Sequence, residues 1–454
     1  MFGNAGTSPA IEEDLRPLSE AQRDKNPSSQ FYLWFGANLT IADFALGFLP
    51  VEFGLSIWYS MLALFTGTLG GGILLASMSS MGPRTGMPQM MIGRHAFGES
   101  GGMVMSLLQW VNTTGWLTVN TIIAASALSL LIYTTAGYLY VVPVVIIAAA
   151  VLSLVYFGHN VIHRFEKIMS VVLGALFLYL TVYTMVDFSG DFSTGTFNLV
   201  SFGSIVTLSF SYIMSWGPYA SDYSRYVKSG SRGTFWYTLA GSVGSTFWVE
   251  TVGALVAFAV PSFTTGPSSV MDPLLGRYAD IGLVTLILGG LAANSLNLFS
   301  NSVSLKTAGI PLSRGRSMSL TLSRRSILVL ATSFSIVLGI IGYTVFYSYY
   351  EDFLYVLAYW ITPWLGIMIA DFLLSGRDMT RISPGYNRRT FIAYIIPLIV
   401  SLPFINPFQG LEGPFAVWLD GVDISYFVSF ALSMLFFYLL RRQDFSPAKQ
   451  AQKK

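Results

Sequence analysis

The chain has 454 residues, of which 53% are hydrophobic, 15% aromatic and 11% charged, with a formal net charge of +2 and no cysteine. Soluble domains carry about 25% charged residues, so this composition, with a mean hydropathy of +0.60, excludes an ordinary soluble domain and points to a polytopic membrane protein. The missing thiols exclude a disulfide framework and a thiolate metal site.

Residues 1–30 are polar and acidic, lack the apolar core of a signal peptide, and are expected to form a cytoplasmic tail. Stretches of about 20 apolar residues are long enough to cross the hydrocarbon layer. Twelve such spans are expected, at about 31–54, 57–80, 103–131, 137–157, 168–187, 199–220, 235–260, 281–303, 327–347, 353–375, 391–407 and 424–440, with a second cytoplasmic tail over 441–454. Basic residues test the count. Arg84, Arg94, Arg164, Lys167, Arg225, Lys228, Arg232, Lys306, Arg314, Arg316, Arg324, Arg325, Arg377, Arg381, Arg388, Arg389, Arg441 and Arg442 fall on the side of the two termini. The opposite loops hold Arg277 and the acids Asp187, Asp191, Asp272, Glu351, Asp352, Glu412, Asp420 and Asp423. The positive-inside rule then places both ends in the cytoplasm of a cell (plasma or inner) membrane. No GxxxxGK[ST] loop occurs, which argues against a self-contained ATP-driven pump.

Span 1 reads FYLWFGANLTIADFALGFLP, with Gly36, Asn38, Thr40, Asp43 and Gly47 in its interior. Span 3 sets Asn112, Trp116 and Asn120 four residues apart, one stripe along a helix. Span 6 carries Ser209, Ser211, Ser215, Gly217, Pro218 and Asp222, so it is interrupted like span 1. Matching breaks five spans apart point to an inverted repeat. Span 8 places Asn294, Asn297 and Asn301 on another single stripe. An amide facing lipid would lose water without replacing its hydrogen bonds, so both stripes are expected to face a bundle interior or a wet cavity. A flat, neutral, hydrogen-bonding solute suits such a cavity. The bland alternative is that small polar residues pack helices closely, as expected of the cluster Gly67, Gly70, Gly71 and Gly72.

Three acids lie in or near spans. A charged carboxylate at mid-membrane costs on the order of 3 kcal/mol, so Asp43, beside the first break, is a candidate proton carrier or amine ligand, against a purely structural role. Glu52 is expected at the outer mouth, and Glu250 deeper in span 7. Asp222 and Arg225 at the cytoplasmic end of span 6 read as a gating or structural ion pair. His95, His159 and His163 are expected in cytoplasmic loops, without metal-ligand spacing.

GWLTVN at 115–120 and ASDYSRY at 220–226 resemble motifs of the nucleobase–cation symporters, the family of cytosine, purine, allantoin and hydantoin permeases. RHAFGESGG at 94–102 resembles its loop between spans 2 and 3, and PWLGIMIADFLL at 363–374 its span 10 signature. The resemblance implies the leucine-transporter type of all-α fold: five helices over 31–187, five inverted over 199–375, and two more over 391–440. It implies a site between a bundle of spans 1, 2, 6 and 7 and a scaffold of spans 3, 4, 8 and 9. It implies that Trp116 stacks on the substrate ring, and that Asn120, Asn297 and Asn301 read its edges, with Asn112 nearby. The position of the family's span 6 aromatic falls on Ile213, a departure that leaves Tyr212 or Trp216 to supply a second ring face, or leaves the ring stacked on one side only. It implies a cation set of Asn38, Ile41, Ala292 and Ser295, beside the proton-carrier candidate Asp43, in which Leu296 stands where sodium-coupled members have a second hydroxyl. Coupling to a proton therefore stands beside coupling to sodium.

These residues lead to an expected symporter for a nucleobase or related cyclic amide. Its partners would be that small molecule and the bilayer, with no nucleic acid, no obligate protein partner and no cofactor beyond the coupling ion. An amino-acid transporter of the same fold is the alternative. A membrane enzyme would need a reactive constellation, and neither paired carboxylates nor an activated nucleophile occur at suitable spacing.

Overall fold

The computed structural model describes residues 15–132, 140–156, 159–186, 195–228, 230–259, 268–269, 271–309, 323–343, 346–375, 379, 382–406 and 412–445. Asp187, Asp191, Arg314, Arg316, Arg377, Arg381, the side chains of His159 and His163, and the outer parts of both tails lie outside the described residues.

Helices occupy every expected span position. The first span is three pieces, α1 (Ser29–Ala37), α2 (Ile41–Leu46) and α3 (Leu49–Glu52), and α4 (Ile57–Ser79) is the second. A short helix α5 (Gln89–Phe97) leads into α6 (Glu99–Leu131), α7 (Val141–Tyr156) and α8 (His159–Val186). The sixth span is α9 (Leu199–Met214) and α10 (Ala220–Ser224), joined through a 3-10 turn at Gly217–Tyr219. There follow α11 (Ser231–Ala259), α12 (Ala279–Ala308), α13 (Arg324–Gly342), α14 (Phe346–Leu374), α15 (Arg388–Ser401) and α16 (Ser425–Arg441). Among the described residues, eight helical stretches are long and apolar enough to cross a membrane, and the pieces of the first span make a ninth, bent by 57°. Helices α7 and α16 are apolar but shorter. Val171, Val186 and Ile341 are 71%, 76% and 67% exposed on α8 and α13. So much apolar surface is accommodated by lipid and not by water.

The first break has a local cause. Asn38 ends α1, and Thr40 caps α2 by accepting the Asp43 backbone N–H at 3.2 Å, a hydroxyl supplying an acceptor to a helix start. At the second break, Pro218 has no N–H to give the helix.

Two layers follow from the packing. Helices α6 and α12 form the most extensive pair, with α7 and α13 against them. Helix α4 packs on α9 and α11, and α11 on α1 and α2. Helix α8 touches α1, α11 and α12, while α16 packs on α14 and α15. Small residues set the approach of the helices. A Cβ at Gly71 would lie 2.2 Å from Ile213 Cγ2, and one at Gly47 would lie 2.1 Å from the Glu250 carbonyl oxygen. The glycines of α4 thus serve close packing, as the sequence led one to expect.

Candidate substrate and cation site

Helix α6 carries Asn112, Trp116 and Asn120 on one stripe, and α12 faces it with Asn294, Asn297 and Asn301; all six are buried. The three α12 amides act differently. Asn294 Nδ2 donates to the Leu117 carbonyl at 2.9 Å and the Thr121 hydroxyl at 3.1 Å. Asn301 Nδ2 donates to the Trp110 carbonyl at 3.1 Å and to the Thr113 and Thr114 hydroxyls at 3.0 and 2.9 Å. These two clamp α12 to α6. Asn297 faces the broken sixth span, where its Oδ1 accepts the Tyr219 hydroxyl at 3.0 Å.

Trp116 stands near-perpendicular to Tyr212 and Phe353, with ring centroids 5.3 Å away in both cases, and to Tyr350 at 6.3 Å. Asn120 donates to the Trp116 carbonyl at 3.1 Å, and Asn112 donates to Gln109 at 2.9 Å. Four polar atoms remain without hydrogen-bond partners: Trp116 Nε1 and the Oδ1 atoms of Asn112, Asn120 and Asn301. A buried polar group left unpaired costs about 1–3 kcal/mol. These atoms lie on the facing stripes of α6 and α12.

The sixth span supplies Tyr212 directly and Trp216 at one remove. Tyr212 abuts Trp116 and shares a hydrogen bond with the Thr40 hydroxyl at 2.9 Å. Trp216 packs between Trp34 and Tyr219, at 5.6 and 5.2 Å. Ile213 does not line this region. Its side chain turns away into the notch at Gly71 and Gly72 on α4, which corrects its placement as a substrate contact.

The expected cation residues separate into two places. Asn38 donates to the Trp34 carbonyl at 2.8 Å, with its Oδ1 unpartnered, and Ile41 opens α2. Ser295 donates to the Ala292 carbonyl and to Glu166 Oε1, both at 2.9 Å. Glu166 is buried, with Oε2 unpartnered. It is not among the site residues expected from the sequence; α8 begins at His159 and takes Arg164, Glu166 and Lys167 into the helix. Leu296 is buried, and its carbonyl accepts the Tyr223 hydroxyl at 2.8 Å. Asp43 faces the other way, toward α11. Glu52 is exposed.

Asp222 and Arg225 are both buried. Asp222 accepts the Gln89 backbone N–H at 3.0 Å, with the Arg225 charge nearby, so the pair ties α10 to the start of α5. His95 is not in a loop but on α5, where Nδ1 meets Asp371 of α14 at 2.6 Å. This joins RHAFGESGG to PWLGIMIADFLL. Arg94 donates to the Thr307 carbonyl at the end of α12. No group of three or more His, Cys, Asp or Glu suited to a metal occurs among the described residues.

Residues 17–429 match the family described as "Permease for cytosine/purines, uracil, thiamine, allantoin". The chain belongs to the cytosine/purine permease family. It is therefore a multi-pass membrane transporter and not an enzyme. Among relatives of this permease, the putative purine-cytosine permease YxlA of Bacillus subtilis (strain 168) is 29% identical, covering 94% of each chain. The allantoin permease of the same organism is 24% identical over 95% of this chain and 93% of its own. The purine-cytosine permease FCY2 of Saccharomyces cerevisiae is 28% identical over 67% of this chain and 61% of its own. In fold the permease is similar to Mhp1, a nucleobase-cation-symport-1 family transporter solved closed with bromovinylhydantoin bound, with a TM-score of 0.76, 18% identity and 98% coverage of both chains. A manganese transporter of Eremococcus coleocola shares the fold more distantly, at a TM-score of 0.57 with 12% identity, over 92% of this chain and 96% of its own.

Proposed function

We propose that this permease is a secondary active symporter that brings a nucleobase or related cyclic amide (the cytosine, purine, uracil, allantoin or hydantoin class) into the cytoplasm with a proton or sodium ion. The observation that carries this reading is Trp116 on α6, buried beside amide oxygens that have no hydrogen-bond partner. An aromatic face stacks on a base for about 1–3 kcal/mol, and an Asn side chain can pair with the polar edge of a base. Trp116 stacks; Asn120, Asn297 and Asn301 read the ring edge; Tyr212 and Trp216 close the far side, with Asn112 at the rim. The break at Asn38–Asp43, with Ala292 and Ser295 on α12, serves the cation. Asp222 and Arg225 hold the cytoplasmic gate.

In this reading twelve helices cross the membrane, ten of them as two inverted sets of five, with both termini cytoplasmic. Transport then proceeds by rocking of the bundle (α1–α4, α9–α11) against the scaffold (α6, α7, α12, α13). Substrate and cation must raise each other's affinity by the same factor. The test is uptake of labelled cytosine, adenine, uracil, allantoin and hydantoin by the purified protein in liposomes. Saturable uptake of at least one is expected, and saturable uptake of none overturns the substrate class.

A further inference from the structure

Two carboxyl groups are buried together in the bundle, outside the stacking site. Asp43 lies on α2 and Glu250 on α11, neither is exposed, and the two interact electrostatically. The helices carrying them touch through their backbones: a Cβ at Gly47 would meet the Glu250 carbonyl oxygen at 2.1 Å, and one at Gly253 the Phe44 carbonyl oxygen at 2.2 Å. Glu250 is well supported. Thr68 of α4 donates to it at 2.9 Å, and the Ser209 hydroxyl of α9 lies 2.8 and 2.9 Å from its two oxygens. The carboxyl of this α11 residue is thus joined to two other helices, and its backbone abuts a third. Asp43 is different. Neither of its oxygens has a hydrogen-bond partner, and the Thr246 hydroxyl of α11 faces it without completing a bond.

The titratable group facing this pair is Tyr212 of α9, with Tyr350 of α14 beside Tyr212. Among the described residues, no Lys, Arg or His contributes to the environment of either acid. Two carboxyl groups in one dry site without a cation cannot both carry charge, so one is kept protonated. The unpartnered Asp43 is where a second proton would be gained or lost with least disruption. The pair also connects to the stacking residue. The Asp43 backbone N–H is bound to Thr40 Oγ1 at 3.2 Å, that hydroxyl meets the Tyr212 hydroxyl at 2.9 Å, and the Tyr212 ring abuts Trp116 at 5.3 Å. Occupancy of the acid pair and packing around the ligand are therefore mechanically continuous.

We propose that Asp43 and Glu250, which keep one proton between them throughout, exchange a second one, and that this second proton is the coupling ion. This rests on the symporter reading above and deepens it. Facing outward, a carboxylate of the pair takes a proton from water and becomes a carboxylic acid; facing inward, that O–H bond breaks and the proton returns to water. No other bond forms or breaks. Protonation removes a buried charge from the contact between the halves of the first span and α11. That allows the bundle to close over substrate.

The full chain in liposomes, clamped at zero membrane potential, provides the test. A gradient of about one pH unit supports about tenfold accumulation at one proton per substrate. The unaltered protein is expected to accumulate labelled base to that order with the outside acidic, in sodium-free buffer, and a trapped pH dye should report proton entry. Glu250→Gln is expected to keep base-for-base counterflow and lose accumulation and proton entry; Asp43→Asn should lose accumulation too, and Glu250→Asp should restore part of it. Accumulation driven by sodium and indifferent to the pH gradient overturns the proposal while leaving the symporter reading intact. So does undiminished proton-driven accumulation in Glu250→Gln. Loss of counterflow in both amide variants, with Glu250→Asp no better, marks the pair as structural and also overturns it. Absence of counterflow of any base by the unaltered protein overturns the symporter reading itself, and this inference with it.

Discussion

Trp116 and the α12 asparagines resemble one another in the sequence and separate in the structure. Trp116 keeps its indole N–H unpaired, whereas Asn294 spends its amino group entirely on α6. Trp116→Ala is expected to weaken base binding roughly 5- to 150-fold, the equivalent of about 1–3 kcal/mol of stacking, in a titration of the purified protein. Asn294→Leu should instead lower thermal stability, by about 0.5–1.5 kcal/mol for each of the two hydrogen bonds to α6 that are lost, and leave the order of preference among bases unchanged in competition assays. The stripe was legible in the sequence because helical periodicity is regular within α6 and within α12. The direction of Ile213 was not, because the turn at Gly217–Tyr219 interrupts the span between it and Asp222. A 3-10 turn advances by 3.0 residues per turn and not 3.6, so the phase of the helix is lost across the break. Glu166 escaped for another reason. Its neighbours in the chain, Arg164 and Lys167, are charged, and its hydrogen-bond donor, Ser295, is 129 residues away.

At the scale of helices, the contact between the broken first span and α11 depends on the absence of side chains. Gly253→Ala would force a methyl to 2.2 Å from the Phe44 carbonyl oxygen, whereas a Cβ at Gly244 on the same helix meets nothing within 4 Å. Overpacking of this kind costs about 1–3 kcal/mol. Gly253→Ala is therefore expected to lower the melting temperature and slow transport, and Gly244→Ala to do neither. Equal effects from both would show that helix propensity, and not contact, controls this interface. Helix positions were legible because apolar runs between charged loops need no tertiary knowledge. The extents of α5 and α8 were not, since both carry polar side chains that the tertiary structure buries: His95 against Asp371, and Glu166 against Ser295.

For the whole molecule, the proposed orientation makes a direct prediction, and the cysteine-free chain provides the background for it. Lys228 and Arg442 are exposed near one set of helix ends, and Glu52 and Glu412 are exposed at the expected opposite set. Lys228→Cys and Arg442→Cys should react with an impermeant maleimide only after the membrane is opened, and Glu52→Cys and Glu412→Cys in intact cells. Labelling of all four from outside, or the reverse pattern, would overturn the placement of the termini. The two layers could be anticipated only through family resemblance, because no periodicity within a single helix states which helix it will meet.

The unpaired atoms around Trp116 also set a chemical tally for whatever enters. Three of them, the Oδ1 atoms of Asn112, Asn120 and Asn301, can only accept, and the indole nitrogen can only donate. A ring that fills such a place must bring more N–H groups than bare lone pairs. Methylation of ring or exocyclic nitrogens removes those hydrogens while barely altering shape or stacking. N-methylated bases should therefore pass the test of size, fail that of hydrogen counting, and compete poorly against their unmethylated parents.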